Sequence, residues 1–183
     1  REGQCINCDL SNANFDGQYI DKVVIVNSDL SGANFNNAKF AAVIIKSSNF
    51  SNASFVNTDM PSSSIEDSDF NNSTFENVNL ISSAAVNSNF SFAYFHKAKL
   101  YGASFKKSIF DNADMTDANM QKTVLSESSF IKTNFSNSLL NLSLMDNSNL
   151  DSANLSNSKI RGVNFSNSDL RNVDFSNSSL RRS

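Results

Sequence analysis

Every fifth residue of the chain is apolar, without a break from Cys5 to Leu180. The thirty-six positions numbered as multiples of five hold fifteen of the sixteen Phe, ten Leu, five Ile, four Met, Cys5 and Ala85. A helix repeats its faces about every 3.6 residues and a strand roughly every 2, so neither produces a strict repeat of five. The chain is one array of short units, and the repeat decides its architecture before any local element is assigned.

The other positions of the unit explain its geometry. Two residues before each large centre stands a smaller one: Ala13, Ser28, Ala33, Ala38, Val43, and so on to Ser178. Two residues after it, at numbers ending in 2 or 7, Asn or Gly fills twenty of thirty-seven sites, among them Asn7, Asn52, Gly32 and Gly162. These residues tolerate the positive φ that the second central position of a type II turn demands. Pro61, the one proline, falls a residue earlier, where its fixed φ is already correct. Each unit therefore reads as a short extended stretch followed by a turn.

Units such as SNANF (11–15), SGANF (31–35), DNADM (111–115), DSANL (151–155) and RNVDF (171–175) resemble the pentapeptide-repeat consensus. The resemblance covers essentially the whole chain. It implies an all-β fold, a right-handed quadrilateral β-helix with four units, or twenty residues, per coil. Large centres and small partners point inward and the other three positions point outward. Residue chemistry supports the same picture, because one coil cannot bury its apolar side alone and stacked coils close a continuous core. The 183 residues make about nine coils. At a strand spacing of ~4.8 Å they form a rod about 43 Å long. Two predicted inner columns are rich in aromatics: Phe15, Phe35, Phe55, Phe75 and Phe95, and Phe50, Phe70, Phe90, Phe110 and Phe130. Two positions stand out. Ala85 is the one small centre, where Phe105 leans in or a void remains, so that Ala85→Leu is expected to be tolerated or stabilising. Gln18 falls on an inward phase, where a buried amide needs a partner or a distorted coil.

The length suits one domain over residues 1–183. The register starts almost at Arg1 and runs to Leu180 with no cap at either end, so the segment is expected to belong to a larger protein. Eighteen acidic and fifteen basic residues leave a net charge of −3, which argues neither for a nucleic-acid partner nor for a strongly acidic surface. No run of eighteen apolar residues is present to span a membrane, and no signal peptide is visible. Localisation stays open between a bacterial cytoplasm and, for a delivered protein, a host cell.

Candidate chemistry mostly falls away. Cys5 and Cys8 form a CxxC, but no second pair or βαβ context supports a redox or metal site, and both read as core by register. His96, the one histidine, lies on an outward phase beside Tyr94, Lys97 and Lys99 without a triad partner. Asp9, Asp29, Asp69 and Asp169 share an outward column, broken by Asn49, Asn89 and Asn149. That column is a weak cation site or, more simply, turn chemistry. Asn-x-Ser/Thr triplets arise automatically from the repeat. No catalytic, metal or cofactor site is expected, and this segment is not read as an enzyme.

The resemblance leaves several roles. Pentapeptide-repeat regions serve as rigid interaction modules, including in bacterial effectors, where the β-helix recruits a target for another domain. Some members mimic DNA and bind type II topoisomerases, protecting gyrase from quinolones. That role suits a strongly negative surface and a dimerising C-terminal helix, and this chain has neither in its sequence. An ice-binding rod needs outward Thr ladders, whereas Thr58, Thr123 and Thr133 are inward by phase.

One face is apolar where the others are polar. Just before the centres at 5, 25, 45 and onward stand Gln4, Val24, Ile44, Ser64, Ala84, Ser104, Val124, Leu144 and Asn164, five of them apolar. Ile6, Val26 and Val86 follow the centres of the same face, and the adjoining corner adds Ala41, Pro61, Ile81, Tyr101 and Leu142. Contiguous exposed apolar surface marks an interface. The expected occupant is a protein partner, a neighbouring domain or a second copy of the rod. Lys46, Glu66, Lys106 and Lys107 surround the face and are expected to set orientation.

Overall fold

A five-residue unit turned inward at its centre leaves its backbone N–H and C=O groups facing along the stack, where only another coil can pair them. The computed structural model describes residues 3–183 and is a parallel β-solenoid of about nine coils. Its regular strands are β1 (Gly3–Ile6), β2 (Tyr19–Asp21), β3 (Val23–Val26), β4 (Lys39–Ala41), β5 (Ile44–Lys46), β6 (Ser64–Glu66), β7 (Ala84–Val86), β8 (Lys159–Arg161) and β9 (Ser179–Arg181). Elsewhere the coils meet through single parallel bridges such as Asn134↔Asn154. Every pairing joins residues one coil apart: Cys5 faces Ile25, Ile25 faces Ile45, and Ile20 faces Phe40. Four faces result, with centres at 5, 25, 45 (first), 10, 30, 50 (second), 15, 35, 55 (third) and 20, 40, 60 (fourth). The strands β1, β3, β5, β6 and β7 form one sheet on the first face; β2–β4 and β8–β9 are two-stranded sheets on the fourth.

The corners obey the repeat whatever residue occupies them. From Asn7 to Arg182, every position ending in 2 or 7 has φ between +47° and +67°. Asn and Gly accept this readily, but Ala42, Phe92 and Leu142 do so too. Their Cβ atoms carry a steric cost of about 1–2 kcal/mol each, so stacking of neighbouring coils outweighs local preference at those corners. Most turns close with a backbone bond across the corner, as in Ala33 N–H to Leu30 O at 3.1 Å and Ala38 N–H to Phe35 O at 3.0 Å.

The corner after the first face is built differently. There the N–H of Ser28 donates to Ser48 Oγ (3.1 Å), Ser48 to Ser68 Oγ (3.2 Å), and so on up to Ser148 and Ser168 Oγ (3.0 Å). Each hydroxyl in turn finds a carbonyl, such as Ser108 Oγ to Ala85 O at 3.0 Å. A column that reads in the sequence as merely small is a hydrogen-bonded ladder through the core. It satisfies buried N–H groups that would otherwise be orphaned.

Inside, the two aromatic columns stack as the register requires. Successive rings from Phe15 to Phe95 lie 4.5–5.0 Å apart and within 9° of parallel. Those from Phe50 to Phe130 lie 4.9–5.3 Å apart within 14°. Neighbouring columns meet tilted, as Phe55 and Phe70 do at 54°, so the core combines offset stacking with edge contacts. Ala85 is fully buried, and Phe105 turns its ring edge toward the coil below, at 84° to Phe90 with centroids 5.8 Å apart. Ala85 thus leaves Phe105 with no ring in the coil below, in its own column, to stack on.

Two expectations need correction. Gln18 is exposed, and its coil is regular: its N–H bonds Phe15 O at 3.1 Å and its carbonyl accepts from Lys39 N–H at 2.9 Å. It belongs to the first coil, where the side chain on an inward phase can turn out over the end of the stack. Cys5 and Cys8 do lie inward, but as a bonded pair with Cα atoms 5.6 Å apart, and not as two independent core residues. The corner between them brings the side chains together. Among the described residues no helix is long and apolar enough to cross a membrane.

Candidate interaction face

The apolar residues singled out in the sequence come together on the longest sheet of the rod. Parallel register stacks Val24 on Ile44, Ile44 on Ser64 and Ser64 on Ala84. It also stacks Ile6 on Val26 and then Lys46, Glu66 and Val86. Strand alternation sends the centres between them inward, so these side chains have nowhere to go but out. Ile6 is 52% exposed, Ile44 38% and Leu144 41%, while Val24, Val26, Val86 and Val124 are half-buried against one another. Two lobes result. Ile6, Val24, Val26 and Ile44 form one at the N-terminal end. Val124, Leu144 and the corner residue Leu142 form the other, and Ile81, Tyr101 and Val86 lie between them along the rod.

The charged residues expected around this face are engaged within it. Lys46 Nζ lies 2.9 Å from Glu66 Oε2, and Lys106 Nζ 2.9 Å from Glu127 Oε1, with Lys107 3.8 Å from the same carboxylate. The hydrogen bonds to Glu66 and Glu127 raise the Lys46 and Lys106 ammonium pKa values, and Lys106 lowers that of Glu127. Exposed, solvent-screened pairs of this kind contribute little to stability. Their effect on the face is to lay charge flat along the sheet between the two apolar lobes.

The Asp/Asn column of the second face does turn work. Asp29 Oδ1 accepts from Ser31 N–H at 2.9 Å, Asn49 from Ser51 N–H at 3.0 Å, and Asp69 from Asn71 N–H at 3.0 Å. Asn49 and Asn89 also donate their amides to Asp29 and Asp69, one coil below, at 3.1 and 3.0 Å. Asn49 and Asn89 thus relieve repulsion for Asp29 and Asp69, though Asp9 still stacks directly on Asp29.

A second exposed group escaped the sequence reading. Phe92, the one Phe off the centres, is 58% exposed at a positive-φ corner of the third face. Tyr94 stands two residues on and stacks on His96, with centroids 5.8 Å apart. His96 Nδ1 is 2.9 Å from Thr116 Oγ1 and 3.7 Å from Asp117 Oδ2. Burial, then the nearby Asp114 and Glu76, push the Tyr94 hydroxyl pKa up. The signal available in the sequence was the single Phe out of register.

Comparison with known proteins follows the same lines. A family model described as pentapeptide repeats matches residues 4–37, 45–77, 75–112, 108–147 and 148–183. No curated protein matches the sequence. Among solved structures, full-length QnrB1, a plasmid-mediated fluoroquinolone resistance protein, superposes with a TM-score of 0.88 at 18% identity, covering 98% of this chain and 92% of that one. A trypsin-treated variant of QnrB1 gives 0.64 at 16% identity, covering 99% and 92%. HetL, a pentapeptide repeat protein involved in heterocyst differentiation regulation in the cyanobacterium Nostoc, gives 0.46 at 17%, covering 93% and 84%. At such identities the likeness speaks for the fold.

Proposed function

The chain belongs to the pentapeptide-repeat family, and on that footing we propose that it is a non-enzymatic docking module whose first face binds a protein surface. The observation that carries this reading is the outward apolar set on the five-stranded sheet, Ile6, Val24, Val26 and Ile44, continued by Val124, Leu142 and Leu144. A solvated rod gains nothing from gathering such residues on one side, whereas an interface uses them as its desolvated centre. The rigidity of the stack supports the role, since ordering the face is already complete before a partner arrives. In a longer bacterial protein such a face would recruit the target of a catalytic domain, as in delivered effectors.

Cross-linking and pull-down with the full-length protein test the reading. Val24→Asp, Ile44→Asp and Leu144→Asp should abolish capture, and Asn52→Asp and Asn72→Asp should leave it intact. Loss only with the Asn-face variants would sink the proposal. Sedimentation at rising concentration separates a second copy of the rod from a different partner.

A second reading has one observation in its favour. Acidic residues gather on the second and third faces, including Asp29, Asp69, Asp111 and Asp151 on one and Glu76, Asp114 and Asp117 on the other. Two adjoining acidic faces would suit mimicry of DNA toward a type II topoisomerase. Relief of quinolone inhibition in a gyrase supercoiling assay would favour that role over docking by the apolar face.

A further inference from the structure

The net charge of −3 conceals a strongly basic strip. On the fourth face and its corner with the first, Asp21 and Asp59 are the acidic residues among those described, and both lie in the N-terminal third. Beyond them the same columns carry Lys99, Lys122, Lys159, Arg161, Arg181 and Arg182, all exposed. At ~4.8 Å per coil, Lys99 to Arg181 spans about 20 Å of the rod.

The charges are crowded and unrelieved. Lys159 and Arg161 flank the inward Ile160 on β8, and parallel pairing sets Arg161 against Arg181 on β9, with Arg182 next in the chain. Like charges directly across strands are destabilising. Lys46, Lys106, Lys107 and Arg171 each lie within 3.8 Å of a carboxylate, whereas among the described residues Lys22, Lys39, Lys97 and Lys132 do not. Among the described residues none of the six cations of the strip has such a partner. Lys122 instead lies over the Tyr101 ring, 5.3 Å from its centroid.

The strip is continuous with the C-terminal apolar lobe. Leu142, 56% exposed, forms with Asn141, Arg161, Gly162 and Arg182 a surface depression of about 360 Å³. A Cβ on Gly162 would stand 3.0 Å from Leu142 Cδ2, so glycine here lets the leucine lie down beside the two guanidinium groups. Asn141 Oδ1 accepts from Arg161 N–H at 2.9 Å and fixes the backbone at the rim.

We infer that the partner of the docking face is an acidic polypeptide segment that turns the corner at Leu142 and lays carboxylates along the strip from Lys99 to Arg182. This rests on the docking reading above and adds the chemistry of the partner. Carboxylates and apolar side chains alternate freely in a polypeptide, and a polypeptide can bend around the corner between the two faces. A flat bilayer cannot touch both at once. A nucleic-acid duplex seated on the strip would press its phosphates on Asp114 and Asp117 of the adjoining third face. Arg161, Arg181 and Arg182 suit bidentate carboxylate recognition.

Fluorescence anisotropy with labelled polyglutamate tests the strip directly, alongside oligothymidylate of equal charge and vesicles of phosphatidylserine and phosphatidylcholine in equal parts. Polyglutamate should bind, more weakly as salt rises. Arg161→Glu, Arg181→Glu and Arg182→Glu together should lower its affinity about tenfold or more, the loss of roughly one good charged contact. The charge-matched set Lys46→Glu, Lys106→Glu and Lys107→Glu should lower it little. The Arg→Gln versions of the first set retain the fold, since they relieve repulsion, and should also lose binding. Equal loss in both sets, or tighter binding of oligothymidylate or vesicles, overturns the inference. Val24→Asp and Ile44→Asp should leave polyglutamate binding unchanged while removing partner capture, so failure of the docking reading and failure of this one are told apart.

Discussion

At the scale of single residues, the small inward positions hold two kinds of serine. Ser108 is typical of the ladder: its Oγ accepts from Ser88 N–H at 3.1 Å and donates to Ala85 O at 3.0 Å. Ser143 is buried in a different column, and its Oγ alone among the buried side-chain oxygen and nitrogen atoms of the described residues has no partner. A lost partner leaves a buried group to bear its full desolvation cost, whereas an unpartnered hydroxyl has no bond to lose. Ser108→Ala should therefore destabilise by about 1–3 kcal/mol, and Ser143→Ala should be neutral or stabilising. Urea denaturation of the two variants checks this, and equal losses would contradict the ladder. The sequence shows both positions as small and inward. It cannot show which serine has a neighbour's N–H to accept, because that depends on how each corner closes.

At the scale of the element, the coil was legible almost entirely. The five-residue period, the Asn and Gly corners and the two Phe columns all appear in the structure at the stated positions, because one register leaves each side chain a single direction. What the period does not specify is rotamer. Phe105 meets Phe90 of the neighbouring column edge-on at 84°, and in its own column Ala85 offers it no ring to stack on. This revises the expectation for Ala85→Leu. Ala85 is 1% exposed, so a leucine there must displace its neighbours, and overpacking costs about 1–3 kcal/mol. Phe75 is stacked 4.8 Å from Phe55 and 4.5 Å from Phe95. Phe75→Ala should cost about 3–5 kcal/mol. Thermal melts should rank the two in that order, and a stabilised Ala85→Leu would mean that the neighbours of Ala85 give way at no cost. The same limit explains Gln18 and the cysteine pair: phase gives direction only where a coil lies on both sides.

At the scale of the whole rod, the apolar face was legible as columns, while the basic strip was masked by summing charges over all four faces. The stack also sets where the molecule loosens. In a one-dimensional array each coil is held by its neighbours, so the two end coils have half the support. Leu10 and Phe15 at one end and Phe165, Leu170 and Phe175 at the other are only partly buried, whereas Phe70, Phe75 and Phe95 are wholly enclosed. Three of the five carboxylates with lowered pKa values lie in the first and last coils, the others being Glu127 and Asp146. Hydrogen bonds from Ser11 hold Asp9 down, the Arg171 side chain does so for Asp169, and the Ser176 backbone for Asp174. A carboxyl group held below its usual range contributes stability that is present above its unfolded pKa and lost as pH falls through the folded one. Acid should therefore release the turns of the first and last coils before it affects the middle. Each group is exposed and screened, so the effect is local fraying and not global unfolding. Hydrogen exchange read by mass spectrometry across the acid range should show protection falling first in peptides around Asp9 and around Asp169–Asp174. Peptides around Phe70–Phe95 should stay protected. Asp169→Asn should lower protection at the C-terminal end already at neutral pH, leaving on acidification only the smaller loss due to Asp174. Uniform loss of protection along the rod would mean that the coils act as one cooperative unit and that the end carboxylates do not set its acid response.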